Sequence, residues 1–404
     1  MRLGIVYHMP FWRDADGALR EVEGSFARYV DSLAPYFDEI TLCVPVLDGA
    51  RGDGTAIRAA NVRLAPLPAF DGPVHFYPRL PAMLPRLVSF VRGIDVLHCR
   101  VPTPAAVFAF VAARLLGRPA FVLIVGDLRA LLPAMPYRGV KRWLWRAYTA
   151  FEERNVQWMA NRSLAFANGA ALAAKHSRPD HAVLETRTTT IDAGNIATRD
   201  DTAAASPIRL LTVSRVDPRK GLRLLPDVLR RLADRGTAAT IDVIGPSVGA
   251  PGGAERAAIE MRAGELGVGA SVRFLGAVPL EQLVKRYADY DLFVLPTLPG
   301  EGVPRVLLEA MSAGLPVVTT RVAGIPSLIT HEVNGLLVDR PDAAEIADAI
   351  ARLVDDGALR RNLIAHGYRT ARAHTLGAQA AWMMTAVASN LGLPLRQPAA
   401  TPAA

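Results

Sequence analysis

The sequence predicts an α/β protein with two doubly wound parallel-sheet domains, and three observations predict it. The chain has 404 residues, long for one core and comfortable for two. Short apolar strands alternate with amphipathic helices, a spacing that gives parallel strands joined by crossover helices and places ligands beyond the strand carboxyl ends. The alternation breaks once. After Ile191-Asp192-Ala193-Gly194-Asn195 the chain turns polar through Asp200, Asp201 and residues 202–207, and a second series starts at residue 209. The expected domains are residues 1–198 and 199–377.

In the first domain, residues 3–6 form a strand, followed by the polar loop His8-Met9-Pro10-Phe11-Trp12-Arg13-Asp14-Ala15-Asp16-Gly17. Glu21-Val22-Glu23-Gly24-Ser25-Phe26 then starts a helix with Phe26, Tyr29, Val30 and Leu33 on one face. Strand, glycine loop and helix make Gly24 a candidate anion site, with a plain turn as the alternative. Strands over 40–46 and 62–64 lead to a Pro-rich connection over 64–85. A strand over 95–99, a helix over 104–116 and a strand over 120–125, ending in Gly126-Asp127, come next. His8, His98 and Asp127 stand near strand ends and are candidates for substrate contact; a hydrogen-bonded structural role is the alternative for each.

Residues 137–162 read as one long amphipathic helix, with Arg138, Lys141, Arg142 and Arg146 interleaved with Trp143 and Trp145 near its start. That mixture suits the headgroup layer of an anionic membrane. Tryptophans packed on the sheet beneath solvated charges would produce the same pattern. A strand over 163–168 follows.

The second series opens with the strand, basic loop and helix start Leu210-Leu211-Thr212-Val213-Ser214-Arg215-Val216-Asp217-Pro218-Arg219-Lys220-Gly221-Leu222. Arg215 as a planar fork and Lys220 as a point charge can together neutralise a diphosphate at the strand end. A strand over 239–244, a mobile Gly-rich loop over 245–253, a helix over 254–266 and strands over 272–276 and 292–296 lead to residues 297–318. There a Gly/Pro loop precedes a helix that starts at Pro304 and ends at Gly314. Glu301 lies in the loop and Glu309 on the second turn of the helix. A helix N-terminus attracts anions and nearby carboxylates accept hydrogen bonds from hydroxyls, so this stretch suits a phosphate beside a polyol.

Composition narrows the classes. The chain is 51% hydrophobic and 21% charged, the balance of a globular protein, and its net charge of +8 calls for an anionic partner. No aromatic-basic strand motif or recognition helix accompanies that charge, so nucleic acid is not the expected partner. Cys43 and Cys99 are the two cysteines, too few for a disulfide framework or a Cys-based zinc site, and they suit a reducing cytoplasm. Residues 1–7 run straight from a strand into a loop, unlike a signal peptide, and the apolar region 105–125 is broken by Arg114, Arg118 and Pro119. The expected location is cytoplasmic, in solution or at the inner face of the membrane.

Ser214-Arg215 with Lys220-Gly221, Val272-Arg273-Phe274-Leu275-Gly276, Glu301-Gly302 with Leu308-Glu309-Ala310, Gly314-Leu315-Pro316-Val317-Val318, Gly324 and Asn334-Gly335-Leu336-Leu337-Val338 together resemble the retaining glycosyltransferases of family four. The resemblance covers nearly the whole second domain, and the two glutamates with seven residues between them are its specific signature. It implies the GT-B fold, two Rossmann-like domains facing each other across a cleft, with a C-terminal helix over 378–391 returning to the first domain; the Pro- and Ala-rich composition of 393–404 predicts a disordered tail. It also implies a metal-independent hexosyl transfer from a nucleotide-sugar donor to a glycan or lipid-linked acceptor, with no cofactor, in cell-surface polysaccharide or glycolipid synthesis. By the same carry-over Arg215 and Lys220 hold the diphosphate, Glu309 the ribose, Glu301 the sugar, and Gly302 and Val303 face the leaving group. Gly24, Phe274 and Leu275 also fall on the donor, and His8 and His98 on the acceptor side.

The chain departs from the family at four places. Pro304 replaces a glycine, Ser327 a carboxylate, and the paired glycines of the first-domain loop are reduced to Gly24 behind Glu23. Asp127 ends a strand that carries a histidine in many members; if it faces the sugar, it joins Glu301, Arg215 and Lys220 in the catalytic set. These departures keep a non-catalytic sugar-nucleotide-binding protein and a GT-B epimerase as alternatives.

Overall fold

A computed structural model of the chain describes residues 1–398 apart from 15, 22, 23, 48, 50–53, 71, 131, 133–137, 188, 197, 204, 299–302 and 323. The chain divides into two units, residues 1–188 with 379–404, and residues 189–378.

The first unit runs β1 (Arg2–Val6), β2 (Phe11–Arg13), β3 (Leu19–Glu21), α1 (Ser25–Leu33), β4 (Glu39–Val46), β5 (Thr55–Ala56), β6 (Val62–Pro68), α2 (Gly72–Phe76), α3 (Leu80–Arg92), β7 (Val96–Val101), α4 (Pro104–Leu115), β8 (Ala120–Ile124), α5 (Gly139–Ala160), β9 (Leu164–Asn168), α6 (Ala170–His176) and β10 (Leu184–Thr186). The strand order is β10-β9-β8-β7-β1-β4-β2-β3-β5, with β6 also on β4. β1 pairs in parallel with both β4 and β7, Val6 standing opposite Cys43 and Cys99. Alternate residues feed two cores. Leu3 and Ile5 meet Phe26 and Val30 of α1 on one face, while Val6, Cys43 and Cys99 meet α3 and α4 on the other. This is the period-2 pattern of a sheet covered on both sides.

The second unit runs β11 (Ile208–Val213), α7 (Leu225–Asp234), β12 (Ala239–Ile244), α8 (Gly249–Glu265), β13 (Val272–Gly276), α9 (Leu280–Arg286), β14 (Leu292–Leu295), α10 (Arg305–Ser312), β15 (Val317–Thr320), β16 (Leu336–Val338), α11 (Ala343–Asp355) and α12 (Gly357–Ala373). Its parallel sheet has the order β13-β12-β11-β14-β15-β16. The last helix, α13 (Leu376–Leu391), places Ala380, Met383, Met384 and Val387 in the α1-side core of the first unit.

Several expectations are corrected. The polar loop 8–17 contains β2, which forms an antiparallel hairpin with β3; three-residue strands are too short to show a period. The Pro-rich connection 64–85 contains the start of α3, where proline occupies the first helical turn. β7 runs to Val101, so His98 lies in mid-strand. The Gly-rich loop 245–253 is in part helical, because α8 begins at Gly249. The boundary between units falls before the polar run: Ile191 is buried among α9 and α10 side chains, and its carbonyl accepts the Leu376 amide at 2.8 Å. Residues 393–398 are also held rather than loose. Leu393 and Leu395 pack on the first unit's core, the Arg396 amide bonds the Tyr36 carbonyl, and Arg396 pairs with Asp38.

Candidate active site

In the second unit the chain leaves β11 for β12 and β13 on one side and crosses to β14 on the other. The carboxyl ends of β11 and β14 therefore flank the reversal of strand order, where open α/β sheets hold ligands. Ser214 and Arg215 leave β11 there, and residues 296–298 leave β14. Two glycines permit the close approach. A Cβ on Gly245 would stand 1.9 Å from the Ser214 carbonyl oxygen, and one on Gly221, at φ +65°, would stand 2.0 Å from the Pro296 carbonyl oxygen. Hydrogen bonds finish the join. The Leu298 amide and the Thr297 hydroxyl donate to the Arg219 carbonyl at 2.8 and 3.2 Å, and the Thr320 hydroxyl donates to the Thr297 carbonyl at 2.5 Å. Gly252 in the first turn of α8 plays a similar part, since a Cβ there would crowd the Ser247 backbone at 2.9 Å.

The three cations of the basic loop have different fates. Arg219 is committed to Asp217, its Nε and Nη2 donating at 2.9 and 2.7 Å and its amide at 3.0 Å. That fork, with the added charge of Arg215, pulls the Asp217 carboxyl down to about 2, and the pair stays ionised at neutral pH. Arg215 is exposed and makes no hydrogen bond or ion pair among the described residues. Lys220 is half-buried. The loop therefore brings Arg215 and Lys220 to the reversal point, while Arg219 is held by its own neighbour Asp217.

α10, which follows β14 in the chain, has Pro304 as its N-cap and no acidic residue in its first turn. Glu309, on the second turn, is buried, 7% exposed. Thr190 donates to its Oε1 at 2.5 Å and Tyr287 to its Oε2 at 2.9 Å. Burial, and then the Glu309 charge, hold the Tyr287 hydroxyl well above its usual range, so it stays a donor. Each carboxylate oxygen still has a lone pair to offer. A cavity of about 220 Å³ lined by Thr190, Ile191, Tyr287, Glu309 and Ser312 adjoins it. Thr190 and Tyr287 were not legible as site residues: one lies in an extended stretch before the domain boundary, and the other reads as a core aromatic.

Glu301 and Gly302 lie outside the described residues. Val303 is half-buried against the α10-side core. Phe274 and Leu275 sit on β13, the edge strand, two strands from β11. Phe274 lies under the Arg256 guanidinium at 4.9 Å and Leu275 is exposed. Arg273 of the same motif is structural, gripping Asp242 at 2.6 and 2.9 Å.

In the first unit Gly24 caps α1 at φ +73°, and a Cβ there would meet the Thr55 hydroxyl at 2.3 Å. The amides it was expected to offer to a ligand are already in use. Glu21, fully buried, accepts from Phe26 and Ala27 at 3.1 and 2.8 Å through Oε2. Asp127 accepts from the Arg129 and Ala130 amides at 2.9 and 3.1 Å and from Lys175 at 2.7 Å. Burial works to raise its carboxyl, but Lys175 and the two amides outweigh that and leave it below its ordinary value. Glu153 shares Lys175 at 2.7 Å. His98 is fully buried, stacked on Phe121 at 4.3 Å and bonded to the Tyr29 hydroxyl at 2.9 Å, and burial followed by the Arg100 charge pushes it down to about 3. It is a neutral core residue here. His8 reaches solvent just beyond β1.

Residues 197–370 match the family model described as Glycosyl transferases group 1. A stretch of 165 residues of the chain is 35% identical to an amylovoran biosynthesis glycosyltransferase of Erwinia amylovora, covering 39% of this chain and 38% of that protein. A stretch of 150 residues is 39% identical to a D-inositol 3-phosphate glycosyltransferase of Corynebacterium jeikeium, covering 37% and 35%. The chain thus spans under two fifths of the length of these curated relatives. Among solved structures it is similar to the Anabaena protein HepE in complex with UDP, with a TM-score of 0.70 at 18% identity over 96% of this chain and 100% of that one. It is also similar to WaaG, a glycosyltransferase involved in lipopolysaccharide biosynthesis, with a TM-score of 0.66 at 16% identity over 95% and 99%. The fold is GT-B, with two Rossmann-like domains.

Proposed function

We propose that the chain is a retaining hexosyltransferase that moves sugar from a nucleotide-sugar donor to a hydroxyl of a glycan or lipid-linked acceptor, without a metal. One observation carries the reading: Gly221 seats the Arg215–Lys220 loop against the end of β14, the strand that leads on to α10 and Glu309. Cations, a helix start and a carboxylate meet where a diphosphate and a ribose would lie together. The HepE structures in complex with UDP and with UDP-glucose support a donor of this class.

In this reading the diphosphate leaves toward Arg215 and Lys220, an oxocarbenium-like centre forms, and the acceptor hydroxyl attacks from the same face with a departing phosphate oxygen as its base. Glu309 takes the ribose hydroxyls with its remaining lone pairs. By the family resemblance Glu301 is assigned to the sugar, Gly302 and Val303 to the leaving group, and Asp127 to the sugar in place of a histidine. The test is a thermal-shift panel of nucleoside diphosphates and nucleotide sugars, followed by assay for free sugar. A donor at a hundredfold excess over its Kd is expected to stabilise the fold by about 2.7 kcal/mol, and slow sugar release is expected with it. Binding without any release identifies a binding protein instead, and a panel with no shift sinks the reading.

A specific observation also favours a membrane-facing surface on the first unit. Trp143 of α5 is 67% exposed rather than packed on the sheet, with Val140, Leu144 and Phe151 exposed on the same helix. Arg138, Lys141, Arg142 and Arg146 are exposed around them. Among the described residues no helix is long and apolar enough to cross a membrane. Each basic residue near an anionic surface is worth about 1 kcal/mol. Neutralising all four is therefore expected to remove most sedimentation with anionic liposomes, and unchanged sedimentation would retire this surface.

A further inference from the structure

The penultimate residue of β7 is a buried arginine, with 4% of the surface of Arg100 exposed. A guanidinium does not give up its proton in a protein, so burial calls for a counter-anion or a full set of hydrogen bonds. Arg100 has neither among the described residues. Its Nε and Nη1 are enclosed without a hydrogen-bond partner, and no carboxylate pairs with it.

Its surroundings are aromatic. The guanidinium carbon lies 4.7 Å from the centre of the Tyr29 ring, 5.0 Å from Tyr7 and 5.1 Å from Phe26. Cation–π attraction recovers part of the lost hydration and fixes the plane of the fork, but three neutral rings do not neutralise it. The charge is held in place and makes no ion pair among the described residues.

The topology says where it stands. From β1 the chain passes to β4 on one side of the sheet and returns to β7 on the other, so the carboxyl ends of β1 and β7 flank the first unit's own reversal of strand order. Cys99 pairs with Val6, which sets Arg100 level with Tyr7 and beside the chain leading to His8. The start of α1 lies over the same end, but its amides already hold Glu21. The arginine, not the helix, is the group left to meet an anion. His8 stays uncharged at neutral pH, pushed down to about 4 by the crowding of its ring and then by Arg100, so it does not compete for the anion as a second cation.

We infer that Arg100 is an oxyanion receptor at the carboxyl ends of β1 and β7, taking a phosphate or carboxylate group carried by the acceptor. This rests on the reading of the first unit as the acceptor side and narrows it to acceptors with an acidic group. Phosphate and carboxylate share the planar two-point match to a guanidinium fork, and the experiment separates them.

Calorimetric titration of the full chain with phenyl phosphate and with glucuronate tests it, in wild type, in Arg100→Met and in Arg215→Ala/Lys220→Ala. One probe is expected to bind the double variant as it binds wild type. Arg100→Met is expected to weaken that probe at least roughly tenfold, the scale of one charged hydrogen bond, with UDP binding unchanged. The probe that is lost identifies the anion. Because methionine replaces a buried charge that makes no ion pair among the described residues, that variant is expected to melt no lower than wild type. His8→Asp, an exposed change that sets a carboxylate near Arg100, is expected to weaken the same probe. The inference is overturned if neither probe binds wild type, if binding survives Arg100→Met, or if Arg100→Met unfolds while His8→Asp binds normally. Loss of UDP binding by wild type would instead remove the donor reading.

Discussion

Lys220→Ala is expected to lower turnover with a nucleotide-sugar donor roughly 10²–10³-fold, the scale on which removal of one preorganised charge-stabilising donor acts. The loss falls on kcat more than on KM if the lysine meets charge that grows as the diphosphate departs, since only interactions stronger in the transition state speed the step. Arg215→Ala is expected to act in the same direction. The double variant should lose less than the product of the two, because both cations serve one leaving group. Neither change touches a core. Arg215 is exposed and Lys220 is half-buried, so the melting temperature is expected to stay within about 2 °C of wild type. The check is steady-state kinetics beside a melting curve on the same preparation. Full activity in Lys220→Ala would count decisively against the transferase reading, whereas lost activity with a lowered melting point would point to damage to the loop.

Gly221→Ala is expected to harm both stability and activity, and the reason is geometric. The added Cβ would stand 2.0 Å from the Pro296 carbonyl oxygen, and the residue sits at φ +65°, where an L side chain is itself strained. A left-handed alanine costs about 1–2 kcal/mol and overpacking a further 1–3 kcal/mol. For a unit of this size that lowers the melting temperature by roughly 4–20 °C. The backbone escapes the clash by lifting the basic loop from β14, which carries Lys220 with it. A displacement of about 1 Å is enough to cost roughly 10²-fold in rate. Wild-type kinetics and melting in Gly221→Ala would mean that the loop is not seated as described.

The proposed donor half of the site was legible because its signals are local. Arg215, Lys220 and Gly221 follow a buried strand within eight residues of Val213, and Glu309 lies on a helix whose limits are marked by Pro304 and Gly314. Parallel strands of continuous apolar residues were legible for the same reason. What escaped depends on residues distant in sequence. Arg100 reads as a charge just past a strand end until β7 is seen to continue through it, and its cage comes from Tyr7, Phe26 and Tyr29 on two other elements. Glu21 reads as one of two acids before a glycine, and nothing local shows that its side chain turns back onto the amides of Phe26 and Ala27. The β2–β3 hairpin and α3 escaped for opposite reasons: the first is too short to show a period, and the second begins among prolines usually read as breakers.

The Glu21 cap has a consequence for stoichiometry. A chain made of two Rossmann-like folds starts with two equivalent chances to hold a nucleotide, one at the reversal of each sheet. The equivalence is broken inside the protein. α1 begins with the Glu21 carboxylate already on its amides. With those amides occupied the α1 start cannot cradle a diphosphate, so nucleotide is directed to a single seat per chain. High donor concentrations should then saturate the protein without self-inhibition through the first unit, leaving that unit open to the other substrate.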